Sequence, residues 1–189
     1  MAITKLEMKK KVLALIEELN PDSEYLTEDP DIQAKIDYVT NQVMFELARL
    51  KKIPKYFEMA VSAGDILTFE EFEGECGYEI YQVKMLCGVA NTAKADGTVF
   101  KIHESGVAEV EVYVYPERIT EKTKDKAYEF ELSNDVLEMM PYGIAADLLK
   151  SDVSAEYGKI YADRYEAMKQ MLDQRYQTTM ITFEGGFDI

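Results

Sequence analysis

The spacing of apolar residues changes twice along this chain, from a helical period to an alternating one and back again. Near the N-terminus, apolar residues recur every three or four positions, as on one face of an α-helix. The first run ends at Pro21, and the second extends from Asp31 to just before Pro54. The two apolar faces comprise Leu6, Val12, Leu13, Ile16 and Leu19, and then Ile32, Ile36, Val39, Val43, Leu47 and Leu50. We predict two helices, the first of which begins with a capping box formed by Thr4 and Glu7.

The middle of the chain, residues 55–132, alternates apolar and polar residues and is rich in β-branched and aromatic side chains. The predicted strands are YFEMAV, DILTFEEF, YEIYQVKMLC, TVFKIH, VAEVEVYVY and AYEFEL. In the fifth of these, Val110, Val112 and Val114 face one way, and Glu109, Glu111 and Tyr113 face the other. That pattern is typical of an antiparallel sheet with one face in water. We predict a small antiparallel β module that is sandwich-like or curled.

The helical period returns after Ser133, but Pro141 interrupts it. Proline has no N–H to bond back along a helix, so it costs about 3 kcal/mol in mid-helix and almost nothing in the first turn. We therefore predict a short helical turn over residues 136–140 and a third helix that begins at Pro141. Its apolar face would carry Ile144, Ala145, Leu148 and Leu149.

A fourth helix is predicted after KSDVS, capped by Ser151, Asp152 or Ser154, and it continues to about Asp173. Its apolar residues are Tyr157, Ile160, Tyr161, Tyr165, Met168, Met171 and Leu172. The third and fourth helices would form a helical hairpin, in which Gly143 and its neighbouring alanines let another helix approach closely.

The last segment, residues 177–189, has no helical period and contains two adjacent glycines. We predict an extended arm with a flexible joint. Flexible tails rarely carry bulky apolar groups, so we expect the arm to dock on another chain, as an added strand or as a plug. The docking residues would be Met180, Ile181, Phe183, Phe187 and Ile189. The alternative is that the arm packs on its own β module.

These segments together predict an α+β fold. Both chain ends, residues 1–54 and 133–176, would form a four-helix part, and the antiparallel β module would be inserted between them. A chain of 189 residues that is 47% hydrophobic can support one core or two small modules.

The formal net charge of -15 argues against nucleic-acid binding through a basic face, because duplex affinity depends on Lys and Arg. No stretch approaches the roughly 20 apolar residues that a membrane-spanning helix needs. The N-terminus lacks a signal-peptide pattern, and the chain has only Cys76 and Cys87. We expect a soluble, unexported protein from a reducing cytosol, without membrane or sequence-specific nucleic-acid contacts.

Three features were candidates for chemistry. The first is the acidic cluster in FEEFEGECGYE, namely Glu70, Glu71, Glu73, Glu75 and Glu79. Carboxylates can act as acid and base or bind Ca²⁺, but alternation with Phe69 and Phe72 favours the solvated face of an edge strand. His103 could be a base, yet no nucleophile motif or phosphate loop accompanies it, and the two cysteines are far from CxxC spacing. We predict no enzyme, no catalytic residue, no metal site and no cofactor.

Two segments carry a resemblance to a known family. MMPYGIAADLLKSDVSAEYGKIYADRYEAMKQMLDQR resembles the C-terminal helical hairpin of tailed-phage head-to-tail adaptor and neck proteins, and YVTNQVMFELARLKKI resembles their second helix. Helices that flank a β module are similar to the tail adaptors of podoviruses and to adaptors from phages of Gram-positive hosts. The resemblance covers the helical ends of the chain.

The resemblance implies a virion structural protein, made in the host bacterial cytoplasm, that self-associates into a ring between the portal and tail proteins. An acidic channel wall would repel DNA phosphates, so that the genome slides through. In similar adaptors a C-terminal arm reaches into the portal.

Two other functions remain open. The sheet could form a binding module for a carbohydrate or a host surface, through Tyr78, Tyr81, Tyr113 and Tyr115. A small hydrolase that uses His103 and the acidic cluster is the third possibility.

Overall fold

A computed structural model describes residues 3–150 and 155–177 of the chain. This part contains five helices and two three-stranded antiparallel sheets, which is an α+β arrangement. The helices are α1 (Lys5–Leu15), α2 (Pro30–Leu50), α3 (Phe69–Cys76), α4 (Asn134–Leu148) and α5 (Ala155–Gln177). The strands are β1 (Ile53–Val61), β2 (Ile66–Leu67), β3 (Ile80–Cys87), β4 (Asn91–Ala93), β5 (Phe100–Ile102) and β6 (Gly106–Val114).

The chain separates into two compact units. The strand unit comprises residues 3–5 and 40–132, and the helical unit comprises residues 6–39 together with the described residues from 133 onward. The sequence placed the boundary after residue 54, whereas contacts divide the chain within α2, so that residues 40–50 belong to the strand unit.

The two sheets of the strand unit have the orders β1-β6-β3 and β2-β5-β4. β6 pairs with β1 along its whole length, from Ile53 opposite Val114 to Val61 opposite Gly106. The alternating valines of β6 point into the core, as the sequence predicted, and they are 0–2% exposed. This core also holds Val61, Leu67, Phe72, Ile80, Val89, Phe100, Ile102 and Ala108. At the end of β3, Gly88 has a φ of 84°, and a Cβ there would lie 2.7 Å from the Val107 carbonyl oxygen, so only glycine fits.

The predicted strand DILTFEEF is wrong beyond Leu67, because Thr68 starts helix α3. Glu71 accepts a hydrogen bond from the Thr68 N–H at 2.7 Å, as in a capping box. Gly77 ends the helix in a left-handed conformation, with its N–H donating to the Glu73 carbonyl at 2.8 Å. Phe72 is fully buried on this helix. The predicted edge strand for the glutamates is therefore wrong as well.

The predicted strand AYEFEL is also wrong, because it forms a single bridge between Thr4 and Glu129. The Lys5 N–H donates to the Tyr128 carbonyl at 3.0 Å, and the Phe130 N–H donates to the Ile3 carbonyl at 3.1 Å. The apolar residues of the segment are buried, as its alternating pattern predicts. Residues 3–5 are too short a partner to pair with the whole segment as a strand.

The two predicted N-terminal helices are present. α1 ends at Leu15, so Ile16 and Leu19 lie beyond it. α2 begins with Pro30 at its first position, where a missing N–H costs little. Asp29 caps it, accepting hydrogen bonds from the Asp31 and Ile32 N–H groups at 2.8 and 3.3 Å.

The predicted break at Pro141 is wrong. α4 is one helix from Asn134 to Leu148, and Pro141 lies in its interior. The buried residues occupy most of its circumference: Val136, Leu137, Met139, Met140, Pro141, Gly143, Ile144, Ala145 and Leu148. Each large apolar side chain gains about 1.5–3 kcal/mol on burial, and together they outweigh the lost hydrogen bond.

α5 packs against α4. The close approach occurs at Gly158, where an added Cβ would lie 3.2 Å from the Leu149 Cβ. α5 continues to Gln177, past its predicted end near Asp173, so the first residue of the predicted arm is helical. Residues 178–189 of the arm and the proposed capping residues Ser151, Asp152 and Ser154 lie outside the described residues.

Candidate functional site

The sheet β1-β6-β3 has a second face, opposite the core, which we call the outer face. It carries alternate residues of β1 and β6, among them Tyr56, Glu111 and Tyr113. β3 contains two irregularities opposite β6, between Ile80 and Gln82 and between Val83 and Met85. A bulge places an extra residue on one strand and redirects its side chain. In this way Tyr81 and Lys84 contact the outer face.

Glu111 lies near the middle of the outer face and is 4% exposed. The sequence placed it on a wet face, but Lys84 and Tyr56 cover it. Its Oε1 accepts hydrogen bonds from the Lys84 Nζ at 2.7 Å and from the Tyr56 hydroxyl at 2.8 Å. The hydrogen bond from Lys84 holds the pKa of Glu111 below its usual value, and Glu111 in turn raises the pKa of Lys84.

Three of the four tyrosines suggested for ligand binding come together on this face. Tyr81 stacks on Tyr113 at 6.3 Å between ring centroids and lies 4.9 Å from Tyr115, which in turn contacts Phe45 at 4.8 Å. The fourth, Tyr78, lies apart and donates its hydroxyl to Glu131 at 2.9 Å.

Two of these tyrosines hold the C-terminal end of α2 against the sheet. The Tyr81 hydroxyl donates to the Ala48 carbonyl at 3.0 Å, and the Arg49 Nε donates to the Tyr115 hydroxyl. Burial raises the pKa of Tyr81 to about 12, so its proton stays available for this bond at neutral pH. Tyr115 is 6% exposed. Packing therefore accounts for Tyr81 and Tyr115, and Tyr113 is the member that a ligand could reach.

Cationic side chains lie over these rings. Lys52 lies 4.6 Å from the Tyr113 centroid, Arg49 lies 5.3 Å from that of Tyr115, and Arg118 lies 4.7 Å from that of Phe45. Within the described chain neither Arg49 nor Lys52 pairs with a carboxylate. The sequence pattern does not indicate this basic cluster, because its members come from the end of α2, the link between α2 and β1, and the loop after β6. The strongly acidic composition gave no signal of it.

A groove of about 300 Å³ lies beside Glu111 on the outer face. Its lining includes Tyr56 and Met85, which are 68% and 44% exposed, together with Glu58 and Glu109. The groove has apolar walls and an acidic border.

The second exposed apolar surface lies on α5, in the helical unit. Tyr157, Ile160 and Met171 are 64%, 61% and 63% exposed. At about 100° per residue, these three and the half-buried Met168 lie within an arc of about 80°. One edge of this arc, at Met168, adjoins the buried side of the helix. The buried side carries Gly158, Tyr165 and Leu172. The exposed Arg164 also lies within this arc, and we call the four apolar side chains the α5 stripe.

A cleft of about 310 Å³ lies at one end of the α5 stripe. Its lining comprises Leu15, Ile16, Glu17, Leu149, Tyr157 and Tyr161. The Tyr161 hydroxyl donates to the Leu15 carbonyl, which ties α5 to the end of α1.

The residues considered for catalysis are dispersed. His103 is exposed, and its Nε2 lies 2.8 Å from the Thr92 hydroxyl; no hydrogen bond or ion pair among the described residues joins it to a carboxylate. Glu70, Glu71, Glu73 and Glu75 lie along α3 and Glu79 lies before β3. Cys76 and Cys87 are free thiols.

Two further features are absent from the described part of the chain. Within residues 3–150 and 155–177 no group of three or more His, Cys, Asp or Glu side chains is placed to hold a metal ion. No helix in that part of the chain has the length and apolar character needed to cross a bilayer.

The five predicted docking residues of the arm, Met180, Ile181, Phe183, Phe187 and Ile189, lie outside the described residues. No protein-family model matches the sequence, and no curated protein sequence matches it significantly.

Proposed function

We propose that this protein is a virion structural protein of a tailed phage, a ring-forming adaptor between the portal and the tail. In this proposal, helices from both chain ends form the part that assembles. Copies made in the host bacterial cytoplasm become part of the virion, and the arm contacts a neighbouring chain.

The observation that carries the proposal is the α5 stripe. Ile160 and Met171 leave more than half of their surface in water, and burying that part would contribute more than half of the about 1.5–3 kcal/mol that full burial of a large apolar side chain gives. Helical spacing of the exposed apolar residues matches the way one helix packs on another. The stripe also belongs to the segment that resembles the hairpin of ring-forming adaptors, so a second copy of this chain is the proposed occupant.

The net charge of -15 supports the same function. A ring multiplies this charge around its channel, and a wall of carboxylates does not adhere to DNA phosphates. The cations of the outer-face basic cluster lie over aromatic rings, Arg49 and Lys52 over tyrosines and Arg118 over Phe45.

The test is the assembly state of the purified protein, alone and mixed with the portal protein of the same phage, by negative-stain microscopy and native mass spectrometry. We expect closed rings of the wild type. Ile160→Asp, on the α5 stripe, should prevent them. Ile66→Asp is the matched control, since Ile66 is also 61% exposed but lies on β2. The proposal would be refuted if the wild type stayed monomeric both alone and with the portal protein. It would also be refuted if the two variants lost rings to the same extent.

A second candidate is a ligand-binding module on the outer face. The specific observation in its favour is that Tyr113 carries Lys52 above its ring, near the groove between Tyr56 and Met85. An aromatic face beside a cation suits a sugar that carries an acidic group. Glycan-array binding that Tyr113→Ala abolishes, in a protein that forms no rings, would favour this function over the adaptor.

A further inference from the structure

β1 is an edge strand of the sheet β1-β6-β3. The Tyr115 N–H donates to the Glu79 carbonyl on the β3 side. Because backbone groups alternate in direction along a strand, the even-numbered residues of β6 bond to β1. Their partners are the odd-numbered residues of β1. Tyr56, Glu58 and Ala60 therefore direct their N–H and C=O groups away from the sheet.

Pro54 has the same orientation as these residues, and it lacks an N–H. Proline is found on edge strands in this position, since it removes no bond of the ladder. In the part of the chain that the structure describes, no backbone or side-chain group bonds to the outward backbone groups of β1. We call them the open edge.

The other edge of this sheet, β3, is partly capped. Glu73 accepts a hydrogen bond from the Ile80 N–H at 2.8 Å, and the Asn91 side chain donates to the Leu86 carbonyl at 3.2 Å. Unpaired edges are usually blocked in this way, because they bind further strands. β1 has nine residues and no equivalent cap among the described residues.

The core is also incomplete beside the open edge. Ile53, Phe57 and Met59 pack against it but are only half-buried, whereas the residues opposite them on β6 are 0–2% exposed. An added strand with apolar residues on this side would complete the burial of these three side chains.

We infer that the open edge binds residues 178–184 of a second copy of this chain as an added strand. The segment begins directly after α5 and reads TTMITFE, in which Ile181 and Phe183 alternate with polar Thr182 and Glu184. Seven residues of strand span about 23 Å, which fits within the roughly 30 Å of β1. Ile181 and Phe183 would lie beside Phe57 and Met59. The inference rests on the proposed self-assembly and names the contact of the arm.

Two variants test the contributions of the open edge and of the arm independently. Glu58→Pro removes one outward N–H and leaves the bonds to β6 in place, and Glu58→Ala is its control because it keeps that N–H. Deletion of residues 178–189 removes the arm and keeps the edge. Circular dichroism and thermal melting check that each variant is folded. Should Glu58→Pro fail to fold, amide exchange of Tyr56 and Glu58 in wild-type and arm-deleted protein measures edge protection directly.

Sedimentation over a concentration series is the measurement. Wild type and Glu58→Ala should associate equally, and Glu58→Pro or the deletion should weaken association by about tenfold or more. A mixture of Glu58→Pro with the arm-deleted protein should form a one-to-one complex, since each supplies what the other lacks. No complex in the mixture, or a deletion that lowers the melting temperature of the monomer, would overturn the inference.

Failure of this inference differs from failure of the adaptor function. If the arm-deleted protein and Glu58→Pro still form rings that Ile160→Asp prevents, the adaptor stands and the arm contact is wrong. If the wild type forms no ring even with portal protein, the adaptor function is wrong.

Discussion

Glu111 is the residue where the outer face departs most from its sequence pattern. A carboxylate on the central strand of a sheet is costly to bury without partners. Lys84, redirected by a bulge in β3, and Tyr56, on β1, supply both charge and hydrogen bonds. The three side chains thereby link all strands of this sheet across its outer face.

The sign of the pKa shift gives a pH prediction. Glu111 has a folded pKa below its usual 4.5, so its stabilisation is present above pH 4.5 and is lost as pH falls through the folded value. Lys84 has a folded pKa above 10.5, so its contribution holds below pH 10.5 and is lost above it. Glu111→Gln should lower the melting temperature at pH 7, and the difference from wild type should shrink at pH 3.

Thermal melts of wild type, Glu111→Gln and Glu58→Gln at the two pH values are the measurement. Glu58 is exposed on the same face, so its change to Gln should leave the pH dependence near that of wild type. A difference for Glu111→Gln that persists undiminished at pH 3 would mean that shape, and not charge, makes Glu111 stabilising.

At the scale of the element, α4 keeps its continuity despite Pro141. The proline removes the N–H that would bond to the Leu137 carbonyl. Residues on both sides of Pro141, such as Met140 and Ile144, are fully buried. Burial of these residues within the helical unit therefore keeps α4 continuous, although Pro141 by itself favours a break in the helix.

Pro141→Ala should stabilise the protein. Restoring the hydrogen bond and relieving the ring clash is worth up to about 3 kcal/mol, and the lost burial of two methylene groups takes back about 1.6 kcal/mol. We expect a net gain of roughly 1–2 kcal/mol in chemical denaturation. Ala146→Gly, in the same helix, should cost about 1 kcal/mol. No change, or destabilisation, in Pro141→Ala would show that the helix is adapted to the proline.

The sequence predicted the elements whose apolar period runs long and unbroken, including α2 and β6. The sequence-based prediction was wrong where a few residues determine the secondary structure. Thr68 with Glu71 is enough to start α3 inside a run that alternates, and tertiary partners limit AYEFEL to one bridge. Tyr81 and Lys84 reach Tyr113 and Glu111 on the outer face through bulges in β3, and bulges leave no periodic signature in the sequence.

At the scale of the whole molecule, two opposing forces would act on the proposed assembly. Apolar surface on the α5 stripe and along the open edge favours association between copies. Each copy, however, brings a net charge of -15, and like charges on neighbouring copies repel. The balance depends on ionic strength, because salt screens exposed charges beyond a Debye length of about 10 Å at 0.1 M and about 3 Å at 1 M.

Self-association should therefore become stronger as salt is added. We expect the sedimentation-derived dissociation constant of the wild type to fall between low salt and about 0.5 M NaCl, since repulsion is screened while apolar burial persists. Ile160→Asp should stay weaker than the control Ile66→Asp at every salt concentration. Association that weakens steadily with salt would instead mean that ion pairs hold the copies together, and that the contact lies on charged surfaces and not on the proposed α5 stripe.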